Sequence, residues 1–103
     1  MRDNIIRSKN YIAIGMKMTK ITLLKTKTCV YCPAASRFWK EMQAHYKFDY
    51  EEVDATTPKG QEFVMKFSVM AVPTTIIEHN GRQSVAFIGI PQRERAMKML
   101  QGG

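Results

Sequence analysis

Apolar and polar positions along this chain divide most of it into seven short elements. Ile21-Thr22-Leu23-Leu24 is a brief, nearly continuous apolar run and predicts a buried strand. From Pro33 to about Tyr46 the apolar side chains fall at Ala35, Phe38, Trp39, Met42 and Tyr46, at three- and four-residue spacing, which predicts a helix. Pro33 suits that helix only near its first turn, where a missing N–H costs least. Phe48 to Val53 alternates as a strand does, and Asp54 follows it. Thr56 or Thr57 can cap a second helix that opens on Pro58 and turns Phe63, Val64 and Phe67 inward. Val72 to Glu78 predicts a strand beginning at a proline, Asn80-Gly81 a two-residue hairpin turn, and Val85 to Gly89 the return strand. Pro91 to Leu100 is a last helix with Ala96, Met97 and Leu100 inward. The order βαβαββα predicts an α/β domain in which a helical crossover makes a parallel pair and a hairpin adds an antiparallel one. The expected result is a central four-stranded mixed sheet flanked by helices. Residues 1–18, with Ile5, Ile6, Tyr11, Ile12 and Ile14 among polar residues and a break at Gly15, read as a poorly ordered N-terminal arm. The alternation in Tyr11–Ile14 also allows a short extra strand, and Met16 or Met18 an alternative start, so the domain proper is expected over 19–103.

Composition narrows the class without choosing a function. A chain of 103 residues, 45% apolar and 24% charged, suits one domain with a single modest core. Sixteen Lys and Arg against nine acids leave a net charge of +7, but no basic block is dense enough to read as a nucleic-acid tract. Part of the excess belongs to the arm, where Arg2, Arg7, Lys9 and Lys17 face only Asp3. No run reaches membrane-spanning length, and residues 1–18 lack the apolar block of a signal peptide, so a cytoplasmic monomer that binds neither membrane nor nucleic acid is expected. Two cysteines are too few for a disulfide scaffold. A loop as short as Cys29–Cys32 also constrains the unfolded chain very little, which argues against a structural staple.

Those two cysteines lie in Thr26-Lys27-Thr28-Cys29-Val30-Tyr31-Cys32-Pro33, between the first predicted strand and the first predicted helix. Unpaired amides and the positive end of the helix dipole favour a thiolate at the first cysteine. A second cysteine one turn in is close enough to attack a mixed disulfide formed by the first. The pattern points to thiol–disulfide exchange with Cys29 as nucleophile and Cys32 as resolving thiol. Lys25 and Lys27 are candidates for stabilising the thiolate, with a solvated strand end as the alternative. Tyr31, between the cysteines, can contact substrate, whereas Trp39 reads as core. The cysteines could instead be two small buried hydrophobes, but the approach to a helix start is a poor place to hide a thiol. Zinc wants four ligands, and the remaining candidates, His45 and His79, are too far apart in sequence for paired ligands and look like surface residues at element ends, so no metal is expected.

Several stretches resemble one superfamily. Cys29-Val30-Tyr31-Cys32-Pro33, followed by Ala35, is similar to the Cys-x-Tyr-Cys-Pro site of glutaredoxin-like small thioredoxins and protein disulfide oxidoreductases. Val69-Met70-Ala71-Val72-Pro73-Thr74 resembles their cis-proline segment, and Asn80-Gly81 with Phe87-Ile88-Gly89-Ile90-Pro91 their hairpin and closing glycine. The resemblance covers roughly residues 19–100 and implies the minimal thioredoxin fold. It also implies a cis Val72–Pro73 bond, substrate contacts at Val72, Pro73 and Thr74 of the added-strand kind, and no cofactor beyond a redox-active Cys29–Cys32 disulfide. Protein disulfides would be the substrates, and a thioredoxin-reductase-like flavoprotein or glutathione the electron donor. There are departures. The Trp-Cys-Gly-Pro-Cys site of ordinary thioredoxins is absent, and Leu23 stands where they place a buried aspartate. Gly89-Ile90-Pro91-Gln92-Arg93 lacks the Gly-Gly and acid that accompany a glutathione groove. Competing readings are a glutathione-dependent glutaredoxin, a chain sharing an iron–sulfur cluster with a second copy, and a non-catalytic binding module supported only by the charge.

Overall fold

The computed structural model describes residues 18–102, so most of the expected arm lies outside the described residues. The elements follow the predicted order: β1 (Thr19–Lys25), α1 (Cys32–Gln43), β2 (Asp49–Asp54), α2 (Pro58–Phe67), β3 (Thr74–His79), β4 (Arg82–Ile88) and α3 (Arg93–Gly102). One four-stranded sheet runs β2-β1-β3-β4. β1 pairs in parallel with β2 and antiparallel with β3, and β3 pairs antiparallel with β4.

Boundaries shift where backbone conformation outweighs the apolar pattern. α1 ends at Gln43 with Ala44 as its C-cap, and the next amides, of His45 and Tyr46, return to the Met42 carbonyl. Tyr46 still packs on the core although it is not helical. β3 starts at Thr74 and not at Val72, because Pro73 has no N–H for a ladder; the Val72–Pro73 peptide is cis. β4 begins at Arg82, three residues earlier than its apolar run, because Asn80 and Gly81 both take positive φ and close the turn immediately. α3 starts at Arg93, one residue past the Gln92 carbonyl that accepts from the Ala96 amide.

The sheet has a core on each face. Ile21 and Leu23 of β1, Ile77 of β3 and Phe87 of β4 point to one side, where Ala35, Trp39 and Met42 of α1 and Ala96 of α3 cover them. Leu24, Val53 and Ile76 point to the other side, against Phe63 and Phe67 of α2. Trp39 is the largest fully buried side chain, and its indole Nε1 donates to Thr75 Oγ1 at 3.0 Å. That bond removes what would otherwise be an orphaned buried donor, a cost of about 1–3 kcal/mol.

α2 is capped by Thr57, whose hydroxyl accepts from the Gly60 amide at 3.1 Å. Its first turn lies so close to the end of β2 that a Cβ on Gly60 would collide with the Asp54 carbonyl and sit 2.7 Å from the Ala55 Cα. Backbone on both sides leaves little room to relax. Gly60→Ala is therefore expected to destabilise by about 1–3 kcal/mol through overpacking, against the ~1 kcal/mol by which alanine ordinarily favours a helix interior. The midpoint of denaturant unfolding reads the sign, and a rise would show that α2 lifts freely from β2.

Candidate active site

β1 ends at Lys25, and the chain turns out of the sheet with the Cys29 amide donating to the Thr26 carbonyl at 3.3 Å. Cys29 and Cys32 are joined as a disulfide with their Cα atoms 5.4 Å apart. Cys32 is the first residue of α1, not one turn in, and Cys29 lies in the loop three residues ahead of it. Pro33 is the second residue of the helix, in the opening turn where its missing N–H costs no intrahelical bond. No side chain caps α1 at Tyr31, and the Tyr31 carbonyl accepts from Ala35 at 3.2 Å. Cys32 is only 3% exposed, whereas Cys29 is partly open to solvent.

A cleft of about 360 Å³ opens beside the disulfide. Lys25 and Lys27 line one side of it, Cys29, Cys32, Ser36 and Lys40 another, and Glu52 and Asp54 of β2 a third. Glu52 is the best-connected group there. Its carboxylate accepts from Lys25 Nζ at 2.6 Å, from Tyr50 OH at 2.6 Å and from the Ser36 hydroxyl. Burial alone would raise its pKa, but hydrogen bonds from Lys25, Ser36 and Tyr50, with the charge of Lys25, outweigh it and hold the carboxyl at about 2. Burial first, and then Glu52, push the Tyr50 phenol well above its usual range. Asp54 is held below its ordinary range chiefly by the Thr56 hydroxyl and amide, which it accepts at 2.6 and 2.8 Å. Lys25, expected beside the thiolate, thus lines the cleft as half of an ion pair, while Lys27 lines it as an exposed side chain.

The proline segment reaches the same end of the sheet. Leu24 of β1 is paired with Thr74, and Thr74 with Ile88, so Val72–Pro73 and Gly89 leave the sheet where the cysteine loop does. The Gly89 amide donates to the Pro73 carbonyl at 2.8 Å. Thr74 is buried and its hydroxyl donates to the Ala71 carbonyl at 2.7 Å, so it closes its own loop. Val72 is half-buried, Pro73 buried, and Tyr31 62% exposed. Large apolar side chains stand open on these segments: Val30 beside Tyr31, Met70 at 94% exposure before the proline, and Ile88 and Ile90 around Gly89.

Neither histidine lines the cleft. His45 is exposed after α1, and His79 is half-buried at the far end of β3 with Nδ1 3.1 Å from Thr19 Oγ1. Among the described residues, no group of three or more His, Cys, Asp or Glu is placed to hold a metal ion, and no helix is long and apolar enough to cross a membrane. Sequence reasoning missed Ser36, Lys40 and Glu52. Alternation in β2 puts Tyr50, Glu52 and Asp54 on one face, but which strand that face adjoins depends on long-range pairing.

A family model described as a thioredoxin domain matches residues 19–101. Over 87 residues the chain is 34% identical to a thioredoxin of Methanocaldococcus jannaschii, covering 84% of this chain and 96% of the relative. Over 85 residues it is 32% identical to a probable thioredoxin of Methanothermobacter marburgensis, covering 81% and 93%. The solved structure of thioredoxin-2 from a malaria parasite superposes with a TM-score of 0.71 at 18% identity, covering 84% of each chain, a likeness of fold. With that family match and a cysteine pair at disulfide distance, the chain belongs to the thioredoxin family and is a thiol–disulfide oxidoreductase.

Proposed function

We propose that the protein reduces disulfides of protein substrates through a dithiol cycle at Cys29 and Cys32. The Cys29 thiolate attacks one sulfur of the substrate disulfide, forming a mixed disulfide and expelling a substrate thiolate that takes a proton from solvent. Cys32 then loses its proton and attacks the Cys29 sulfur, expelling the second substrate thiolate, which takes up a proton in turn. Two electrons and two protons have passed to the substrate, and Cys29–Cys32 is left oxidised. The contrast in exposure supports these roles. Cys29 is open to the cleft, while Cys32 is buried and suited to react only once a partner sulfur is fixed on its neighbour.

Substrate would lie along Tyr31 and the backbone of Val72, with Pro73 and Thr74 shaping the segment behind it, as a strand added at the end of the sheet. The open apolar side chains of Val30, Met70 and Ile88 support an apolar contact around the scissile disulfide. No cofactor is needed beyond the disulfide itself. A thioredoxin-reductase-like flavoprotein is the donor we favour over glutathione, because Gly89-Ile90-Pro91-Gln92-Arg93 offers neither the glycine pair nor the acid of a glutathione groove. Repeated return to the dithiol suits the reducing cytoplasm.

Cys29→Ser is expected to abolish reduction of a protein disulfide. Cys32→Ser is expected to accumulate a mixed disulfide, visible as a mass increase that dithiothreitol reverses. Full activity in Cys29→Ser would sink the assignment. Recycling is tested separately, by supplying NADPH with thioredoxin reductase or glutathione with glutathione reductase. Turnover is expected in the first mixture, and turnover confined to the second would make glutathione the donor.

A further inference from the structure

We propose that Glu52 is a positioning residue of the redox centre: it holds the Lys25 ammonium and, through Ser36, helix α1 beside the cysteine pair and sets the acidity of the attacking thiol. The proposal rests on the dithiol reading above. Leu23, fully buried on β1, is paired directly with Glu52 across the parallel ladder. The carboxylate therefore enters this region from the adjacent strand, on the face covered by α1. Lys25, two residues beyond Leu23, points to the same face and meets it at 2.6 Å. Ser36 lies one helical turn beyond Cys32 on the same side of α1, and its hydroxyl donates to the other carboxylate oxygen. One side chain thus ties together β1, β2 and the helix that opens on Cys32.

This is not an ordinary surface ion pair. The Glu52 side chain is 18% exposed and takes three donors, whereas exposed pairs contribute little. Held at about 2, its carboxyl is an anion throughout the working pH range, so it acts by charge and geometry and does not take up a proton. The other charged groups on the cleft are Lys27, Lys40 and Asp54, with the neutral Tyr50 phenol behind Glu52. Lys25 favours a thiolate in the cleft and Glu52 disfavours it. With both present the effects offset, and removal of either leaves the other unbalanced.

The test compares reduced parent, Glu52→Gln and Lys25→Gln proteins by iodoacetamide reaction rate against pH, with mass spectrometry locating the modified cysteine. Glu52→Gln is expected to lower the midpoint by about one pH unit, and Lys25→Gln to raise it by a similar amount. Unchanged midpoints in both variants, or shifts in the same direction, would overturn the proposal, since loosened packing alone gives no opposed pair. If Glu52→Gln does not fold, Lys25→Gln decides: a raised midpoint supports the proposal and an unchanged one overturns it. Modification of Cys32 ahead of Cys29 would instead overturn the nucleophile assignment, and opposed shifts would still uphold the role of Glu52.

Discussion

The double pairing of β1 is the constraint on which the rest depends. Its ladder with β2 sets Leu23 against Glu52, and its ladder with β3 sets Leu24 against Thr74. Two registers on one strand thereby bring three distant parts of the chain to one end of the sheet: the cysteine loop after Lys25, the carboxylate of β2 and the Val72–Pro73 segment before β3. A slip of one residue in either ladder would turn the buried side chains of that strand to the wrong face. Both faces are packed, with Ile21 and Leu23 under α1 and α3 and Leu24 under α2, so slippage is strongly opposed.

The helix carrying Cys32 is fixed to this frame by its own buried face. Trp39 packs edge-on against Phe38 at 5.0 Å and Phe48 at 6.1 Å, and its indole reaches Thr75, two residues beyond Pro73. The bond therefore links the helix that opens on Cys32 to the strand that follows the proline segment. Aromatic contact supplies most of the attraction, and the single hydrogen bond supplies direction, because an unpaired indole N–H at that depth is costly.

What was legible in the sequence were features whose physics is local. Cys29-x-x-Cys32 before a helical pattern, a proline opening a strand run and an Asn-Gly turn each declare their geometry within a few residues. Apolar spacing gave the element order for the same reason, since a face is set by a period of two or about 3.6. Boundaries moved where a backbone feature intervened, as at Pro73, which has no N–H for the ladder, and at the C-cap of α1. Glu52 was illegible as part of the site. In sequence it is one acid in an alternating strand, 20 positions beyond Cys32, and only the pairing with Leu23 brings it there. Lys25 was legible as a cation near the cysteines, but not as one already engaged, because its partner comes from a different strand.

That engagement changes how the charge of the site should be understood. A lone buried carboxylate beside two sulfurs would carry a large desolvation cost and would drift towards its neutral form. Glu52 escapes this because Lys25, Ser36 and Tyr50 satisfy it, and the cost of bringing it into the cleft is offset by three donors. Lys25 and Glu52 nearly cancel at a distance, and Asp54 is occupied by Thr56. Lys27 and Lys40 are left as the lysines on the cleft with no ion pair among the described residues. Large apolar side chains, Val30, Met70 and Ile88, stand exposed on the neighbouring segments. A partner chain docking over the disulfide therefore meets an apolar surface on one side and a weakly positive one on the other. Contact with the apolar side is insensitive to salt, while any pull from the positive side is screened within about 10 Å at 0.1 M ionic strength. On the substrate path proposed above, affinity would then depend mainly on apolar contact and backbone pairing, and the charges would act mostly on the sulfurs.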